Sequence, residues 1–307
     1  MTLRTLETSG CAAFKRGMVA LAWALLPVAA VLAENPGTGL AVDNQGAVYF
    51  TDIGQGPWKI DANGKVSAHD GPPYRFMALD ADGRFAGVRL PAASRVSFKH
   101  AGSKPTLILS NDVPVAISTD GAIYFPDTGD DGRVQIVRLQ PSGTHTVLAT
   151  LPATTEDGPL QSINGIAVGG DGSVYYTENK AIRKLTKEGT ISTVVSSIVV
   201  PGCVPQAAAA EKPGPQLRGL DVESDGTIFV AASGCGTLLK ISPQGDMTPL
   251  LRAVAPWSPT GVALKGTDVY VLEYLHHNGN DARGWLPRVR KVSKEGRISL
   301  LAEIRRK

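Results

Sequence analysis

Gly165-Ile166-Ala167-Val168-Gly169-Gly170-Asp171-Gly172-Ser173-Val174-Tyr175-Tyr176-Thr177-Glu178 reads as a short apolar strand, a tight Asp-Gly turn and a second strand rich in β-branched and aromatic residues. The same unit recurs outward from it: Gly39 to Phe50, Phe76 to Gly87, Pro114 to Phe125, Gly219 to Val230 and, one residue shorter, Gly261 to Val271. In the first five units of the chain the turn glycines are Gly46, Gly83, Gly121, Gly172 and Gly226. Asp82, Asp120, Asp171 and Asp225 precede four of them, and turn chemistry explains these acids better than calcium does, because Asp and Gly tolerate positive φ. A second hairpin follows each unit: Trp58 to Ile60 turning at Asn63-Gly64, Arg95 to Phe98 near Gly102, Val134 to Leu139 at Ser142-Gly143, Ile182 to Leu185 at Glu188-Gly189, Leu238 to Ile241 at Gln244-Gly245, and Val289 to Val292 at Glu295-Gly296.

Six four-stranded units over residues 34–307, about 46 residues each, predict one all-β domain: a six-bladed β-propeller with four antiparallel strands per blade. The composition agrees, since 307 residues carry 34 Gly and 21 Pro against only 7 Phe and 7 Tyr. With 43% hydrophobic and 19% charged residues, the chain is neither disordered nor short of a core.

Arg4, Lys15 and Arg16 precede an uncharged apolar run, Gly17 to Ala33, that closes on Val31-Leu32-Ala33. This predicts a secretory signal peptide over residues 1–33, with 34–307 exported to the periplasm or secreted. An uncleaved anchor is the alternative, although a run of about 17 residues containing Pro27 is short for a membrane span. Removing the leader leaves 28 basic against 27 acidic residues, so the formal charge drops from +3 to +1. A near-neutral body argues against nucleic acid or anionic lipid as a partner, which leaves a small-molecule ligand or another protein, and a monomer. Cys11 departs with the leader. The remaining pair, Cys203 and Cys235, predicts a disulfide in an oxidising compartment, closing a loop worth roughly 3–4 kcal/mol.

The pattern at 165–178 resembles NHL-repeat propellers and the gluconolactonase/regucalcin (senescence marker protein) superfamily, and the resemblance covers essentially all of residues 34–307. It implies the propeller fold, but it leaves function open, because such propellers include hydrolases, lyases, strictosidine synthase-like proteins and plain binding scaffolds.

In a four-stranded meander, the connections between second and third strands and those between blades emerge at one end. That end carries the long segments Leu151 to Asn164, Val200 to Arg218 and Tyr274 to Trp285, so it is the expected functional face. Thr38, Arg75, Val113, Asn164, Arg218 and Thr260 open the innermost strands there. The resemblance implies a divalent metal such as calcium or zinc at this mouth, held by a Glu, by the Asn of an Asn-Gly motif and by the Asp of an Asp-Gly motif. Asn164-Gly165 matches, whereas Arg218-Gly219 stands in place of Asp-Gly and Glu34-Asn35-Pro36-Gly37 only loosely echoes the Glu motif. A guanidinium in a carboxylate's place repels a metal. Arg75 and Arg218 suggest instead a clamp for a carboxylate or phosphate, or two cations each paired with a rim acid.

The second strands end at this face with Asp52, Asp127, Glu178 and Glu273. Acids in equivalent positions either accept backbone N–H groups or supply a general base. Glu178, followed by the ligand candidate Asn179, and Glu273 are the catalytic candidates. His276, a ligand-binding candidate, His277 and Asp281 read as ligands for zinc or a proton shuttle, or as an exposed polar loop with Trp285 packed on the blade. Serine-hydrolase, zincin and P-loop motifs are missing. Two functions therefore stand: a lactone or small-ester hydrolase using Asn164 with Glu178 or Glu273, and a non-catalytic ligand- or protein-binding scaffold.

Overall fold

Each repeat folds back on itself at its glycine. At Gly172, with φ +77°, the amide donates to Gly169 O at 2.8 Å, and Asp171 Oδ1 accepts Ser173 N at 2.9 Å. The acid thus caps the turn, as its position beside an αL glycine implies. The computed structural model describes residues 36–85, 97–99, 105–152, 163–203, 214–275 and 285–305, all belonging to the unit that spans 34–307. The leader, Glu34, His276, His277 and Asp281 lie outside these residues.

The first sheet contains β1 (Leu40–Val42), β2 (Val48–Phe50), β3 (Trp58–Ile60) and β4 (Val66–Ala68). A second holds β5 (Phe76–Asp80), β6 (Ser97–Lys99) and β7 (Thr106–Ser110). The third repeat builds β8 (Ala116–Ile117), β9 (Ile123–Thr128), β10 (Val134–Leu139) and β11 (His145–Thr150), and the fourth builds β12 (Ile166–Val168), β13 (Val174–Glu178), β14 (Ala181–Leu185) and β15 (Ile191–Val195). The fifth comprises β16 (Leu217–Val222), β17 (Ile228–Ala232), β18 (Thr237–Ile241) and β19 (Met247–Arg252), and the last β20 (Trp257–Lys265), β21 (Asp268–Leu275), β22 (Leu286–Val292) and β23 (Ile298–Glu303).

The fold is an all-β propeller, and among the described residues five blades have four strands, not the six expected. Each of the five is an antiparallel meander in chain order, whereas the second sheet has three strands in the order β5-β7-β6. Burial accounts for the departure. A fourth strand faces water, and β4 is exposed along its whole length. Leu107, Ile108 and Leu109 of β7 are at most 2% exposed, so β7 pairs directly with β5, Phe76 opposite Ser110 and Asp80 opposite Thr106, and β6 pairs with its other side. The second strand of the expected hairpin from Phe76 to Gly87 lies partly outside the described residues.

The innermost strands β1, β5, β8, β12, β16 and β20 neighbour one another in that order, and β20 returns to β1. A Cβ at Gly39 would lie 2.6 Å from Met77 Cβ, and one at Gly165 would collide with the Arg218 carbonyl oxygen. Close approach of neighbouring inner strands, beyond turn making, is therefore what these glycines supply. Apolar clusters fill the space between consecutive sheets; one joins Ala167, Tyr175 and Ile182 to Leu220, Ile228 and Val230. Another joins the first sheet to the last through Phe50, Leu272 and Tyr274. That seam carries three further bonds: Thr260 Oγ1 to Gly37 O at 2.7 Å, Tyr274 OH to Thr51 O at 2.7 Å and Lys265 Nζ to Asn44 Oδ1 at 2.8 Å. Both sheets at the seam complete their own four strands, so the ring closes without exchanging one.

In every four-stranded blade an aromatic residue on the second strand lies directly opposite a cation on the third: Tyr49 and Lys59, Tyr124 and Arg138, Tyr175 and Lys184, Phe229 and Lys240, Tyr270 and Lys291. The Lys59, Lys184 and Lys240 ammonium groups stand 5.2, 5.2 and 5.7 Å from their ring centroids.

Candidate functional site at the channel mouth

A cavity of about 230 Å³ runs between the six inner strands. Its third strand position is Ala41, Ala78, Ala116, Ala167 and Ala263 in five repeats but Asp221 in the fifth, the one charged residue among the described residues lining it. Asp221 accepts Val222 N and, from the next inner strand, Leu264 N, each at 2.8 Å. Burial pushes its pKa up to about 6, against the pull of those two N–H groups.

At the mouth, Arg75 precedes β5 and Arg218 lies on β16, three steps apart around the ring in either direction. Although they rise from opposite sides, their charges act on each other. Burial first, and then the positive charge of Arg75, lowers the Arg218 pKa to about 10, well above neutrality. The register of β16 against β17 slips between Leu217 and Leu220, so Arg218 sits in a bulge of the kind that redirects a side chain beside a site. Arg75 is held by its Nε donating to Asn111 O at 2.8 Å and by its guanidinium lying 5.3 Å from the Phe76 ring.

The approach to Arg218 is braced. Cys203 and Cys235 are bonded, with Cα atoms 4.8 Å apart, and tie the connection after β15 to a 3-10 turn at Ser233–Cys235. That turn donates from Ser233 N to Gln216 O at 3.2 Å and from Gly234 N to Pro215 O at 2.9 Å, and Gln216 has φ +43°. A non-glycine residue in this region is strained and persists only where its surroundings enforce it. Asn164 opens the adjacent inner strand, placed by Thr177 Oγ1, which accepts Asn164 N at 3.1 Å and Gly165 N at 3.0 Å.

The four acids at the ends of the second strands have diverged. Asp52 is buried and accepts Gly54 N at 2.8 Å and Trp58 Nε1 at 3.4 Å, while Asp127 accepts Thr128 N at 2.8 Å. Glu178 pairs with Arg183 at 2.8 Å and keeps 13% of its side chain exposed. Glu273 is fully buried between Arg288, at 2.5 Å, and Arg290, and Arg288 in turn lies 4.0 Å from the Trp257 ring. Asn179, with φ +54°, occupies a two-residue turn between Glu178 and Ala181, a conformation Asn tolerates. The cations Arg183, Arg288 and Arg290 were missed in the sequence; strand alternation opposite Glu178 and Glu273 was the signal for them. Trp285 packs against the apolar seam, as expected.

The described residues at the mouth do not fit a divalent metal. Among the described residues no three His, Cys, Asp or Glu side chains gather as ligands. Asn164 has a guanidinium-bearing residue, not an acid, as its neighbour in the ring, and Glu178 and Glu273 are engaged by arginines.

Among the described residues, fold and site together define a β-propeller with Arg75 and Arg218 near its channel mouth. No family model and no curated protein matches the chain. Solved structures with this fold do. The calcium-binding protein regucalcin from Agrobacterium tumefaciens matches with a TM-score of 0.51 and 15% identity over 81% of this chain and 86% of that one. Virginiamycin B lyase from Staphylococcus aureus matches with a TM-score of 0.43 and 16% identity over 90% and 86%. A gluconolactonase from Xanthomonas campestris matches with a TM-score of 0.37 and 17% identity over 76% and 67%. At such identities the likeness to regucalcin establishes the architecture alone.

Proposed function

We propose that this chain is an exported, monomeric propeller of lactonase-like architecture that binds a small molecule at its channel mouth without a divalent metal. The observation that carries this reading is Arg218, a half-buried cation where the resemblance calls for a metal-holding acid. A positive charge there disfavours calcium or zinc as it favours a ligand of opposite sign. Glu273, sealed between two arginines, cannot reach water, which weighs against its catalytic reading and for the non-catalytic scaffold. Export is supported by the apolar leader and the disulfide. No described helix is long and apolar enough to cross a membrane.

The test is turnover of a lactone and small-ester panel by the purified protein, with calcium, zinc or EDTA, beside Arg218→Asp. No turnover by the native protein under any condition is expected. Metal-stimulated hydrolysis by the native protein, lost in Asn164→Ala or Glu178→Gln, would reject the proposal in favour of a hydrolase.

A further inference from the structure

We propose that the central channel holds a binding site for the primary ammonium group of a small molecule, with the Asp221 carboxylate as its counter-ion. This site lies inside the ring of inner strands and does not depend on what the mouth takes. The propeller does not need the acid: Ala41, Ala78, Ala116, Ala167 and Ala263 hold the same strand position, so five of the six contacts between neighbouring inner strands form without a carboxylate there. Five methyl groups also leave the channel open at this level, and its volume of about 230 Å³ admits a group of a few heavy atoms. Asp221 is half-buried on a strand packed between β12 and β20 and paired with β17, so its free surface faces the channel it lines. Val222 N takes one acceptor position on Oδ1 and Leu264 N one on Oδ2, each at 2.8 Å. A carboxylate offers about four such positions, so two remain for a ligand. The two neutral donors fix the group without cancelling its charge, and no cation offsets it among the described residues lining the channel. Asp221 stands three residues, about 10 Å, inside the mouth from Arg218. On its other side, toward the hairpin turns, Glu223 adds a second negative charge that reaches it. An ammonium group supplies both the opposite charge and N–H donors, which a bare carboxylate in a narrow channel rewards most. A divalent ion would need several oxygen ligands where the described side chains offer one carboxylate.

Methylammonium, tetramethylammonium and methanol, titrated into the purified isotope-labelled protein at pH 8 and followed by amide NMR, test the site. Methylammonium should bind and move the amide signals of Val222 and Leu264, which donate to the same carboxylate. Tetramethylammonium carries the charge without an N–H, and methanol carries a donor without the charge, so each should bind about tenfold or more weakly. Asp221→Ala, which installs the residue of the five other repeats, and Asp221→Asn, which keeps the shape without the charge, should each weaken methylammonium by about tenfold or more. Glu295→Gln, in an exposed outer turn of the last blade where the acid accepts Ser293 Oγ, should leave binding unchanged. Circular dichroism checks folding, and should both Asp221 variants unfold, the wild-type shifts at Val222 and Leu264 carry the test. No methylammonium binding, binding that leaves those two amides unmoved, or binding undiminished in folded Asp221 variants overturns the site. Equal affinity for tetramethylammonium would show attraction to charge alone and overturn the ammonium assignment.

Discussion

Asp221 occupies a strand position that is alanine in the five other repeats; it accepts one N–H from its own strand, at Val222, and its bond from Leu264 N staples the fifth inner strand to the sixth. An ordinary carboxyl near 3.8 becomes one at about 6 in the fold, principally through burial. Between those values the native state holds a proton that the unfolded chain has released, so this residue makes stability fall as pH rises from about 4 to about 6, and adds no slope above that. Asp221→Asn removes the titration while keeping an acceptor. Urea midpoints at pH 4 and pH 6.5 should show the variant gaining on the wild type across the interval; an unchanged difference would mean that the carboxyl does not titrate there. The contrast with Glu273 is instructive. Asp221 is satisfied by neutral N–H groups and keeps the cost of its charge, whereas Glu273 is enclosed by two guanidiniums that compensate it.

At the scale of strands and hairpins, the aromatic–cation pairs recur where the four-stranded meander recurs, and the three-stranded sheet shows none among its described residues. The pairs at Lys59, Lys184 and Lys240 couple a second strand to a third through ring face and ammonium, each worth about 0.5–1 kcal/mol. Lys59→Ala and Lys240→Ala, in the first and fifth repeats, should each lower stability by about that amount in urea unfolding, and their effects should add because the pairs share no contacts. A coupling above about 0.5 kcal/mol would show that the blades do not respond independently. These pairs also mark what was legible beforehand. Turns at Gly46, Gly121, Gly172 and Gly226 are written locally, in an αL requirement that glycine meets beside polar turn residues, and their strands followed. The second repeat shares that local pattern, yet its pairing is decided by the burial of Leu107 to Leu109, some thirty residues from Phe76. Repeat register likewise put Arg75, Asn164 and Arg218 at one end. Ring closure sets the two arginines on opposite inner strands, and the extended pairing of β21 with β22 brings Arg288 and Arg290 onto Glu273.

For the whole molecule the decisive feature is the seam between the first and last blades. Five of the six interfaces join repeats adjacent in sequence, but this one brings together residues more than two hundred positions apart and has no shared strand to lock it. Its closure rests on the apolar cluster around Phe50, Leu272 and Tyr274, reinforced by the buried bonds from Thr260 Oγ1 to Gly37 O and from Tyr274 OH to Thr51 O. The loop entropy of joining the chain ends therefore falls on contacts made by side chains. Thr38 lines the channel and donates to Arg75 O, so opening the seam beside it would also disturb the channel mouth. Tyr274→Phe and Thr260→Val should each cost about 1 kcal/mol, since each leaves a buried carbonyl short of a donor. Hydrogen exchange separates a weakened seam from general destabilisation: amides of β1 and β20 should exchange faster in both variants while those of β12 to β15 keep their protection. Equal acceleration around the ring would show instead that the propeller opens as one cooperative unit, with no weak interface where its ends meet.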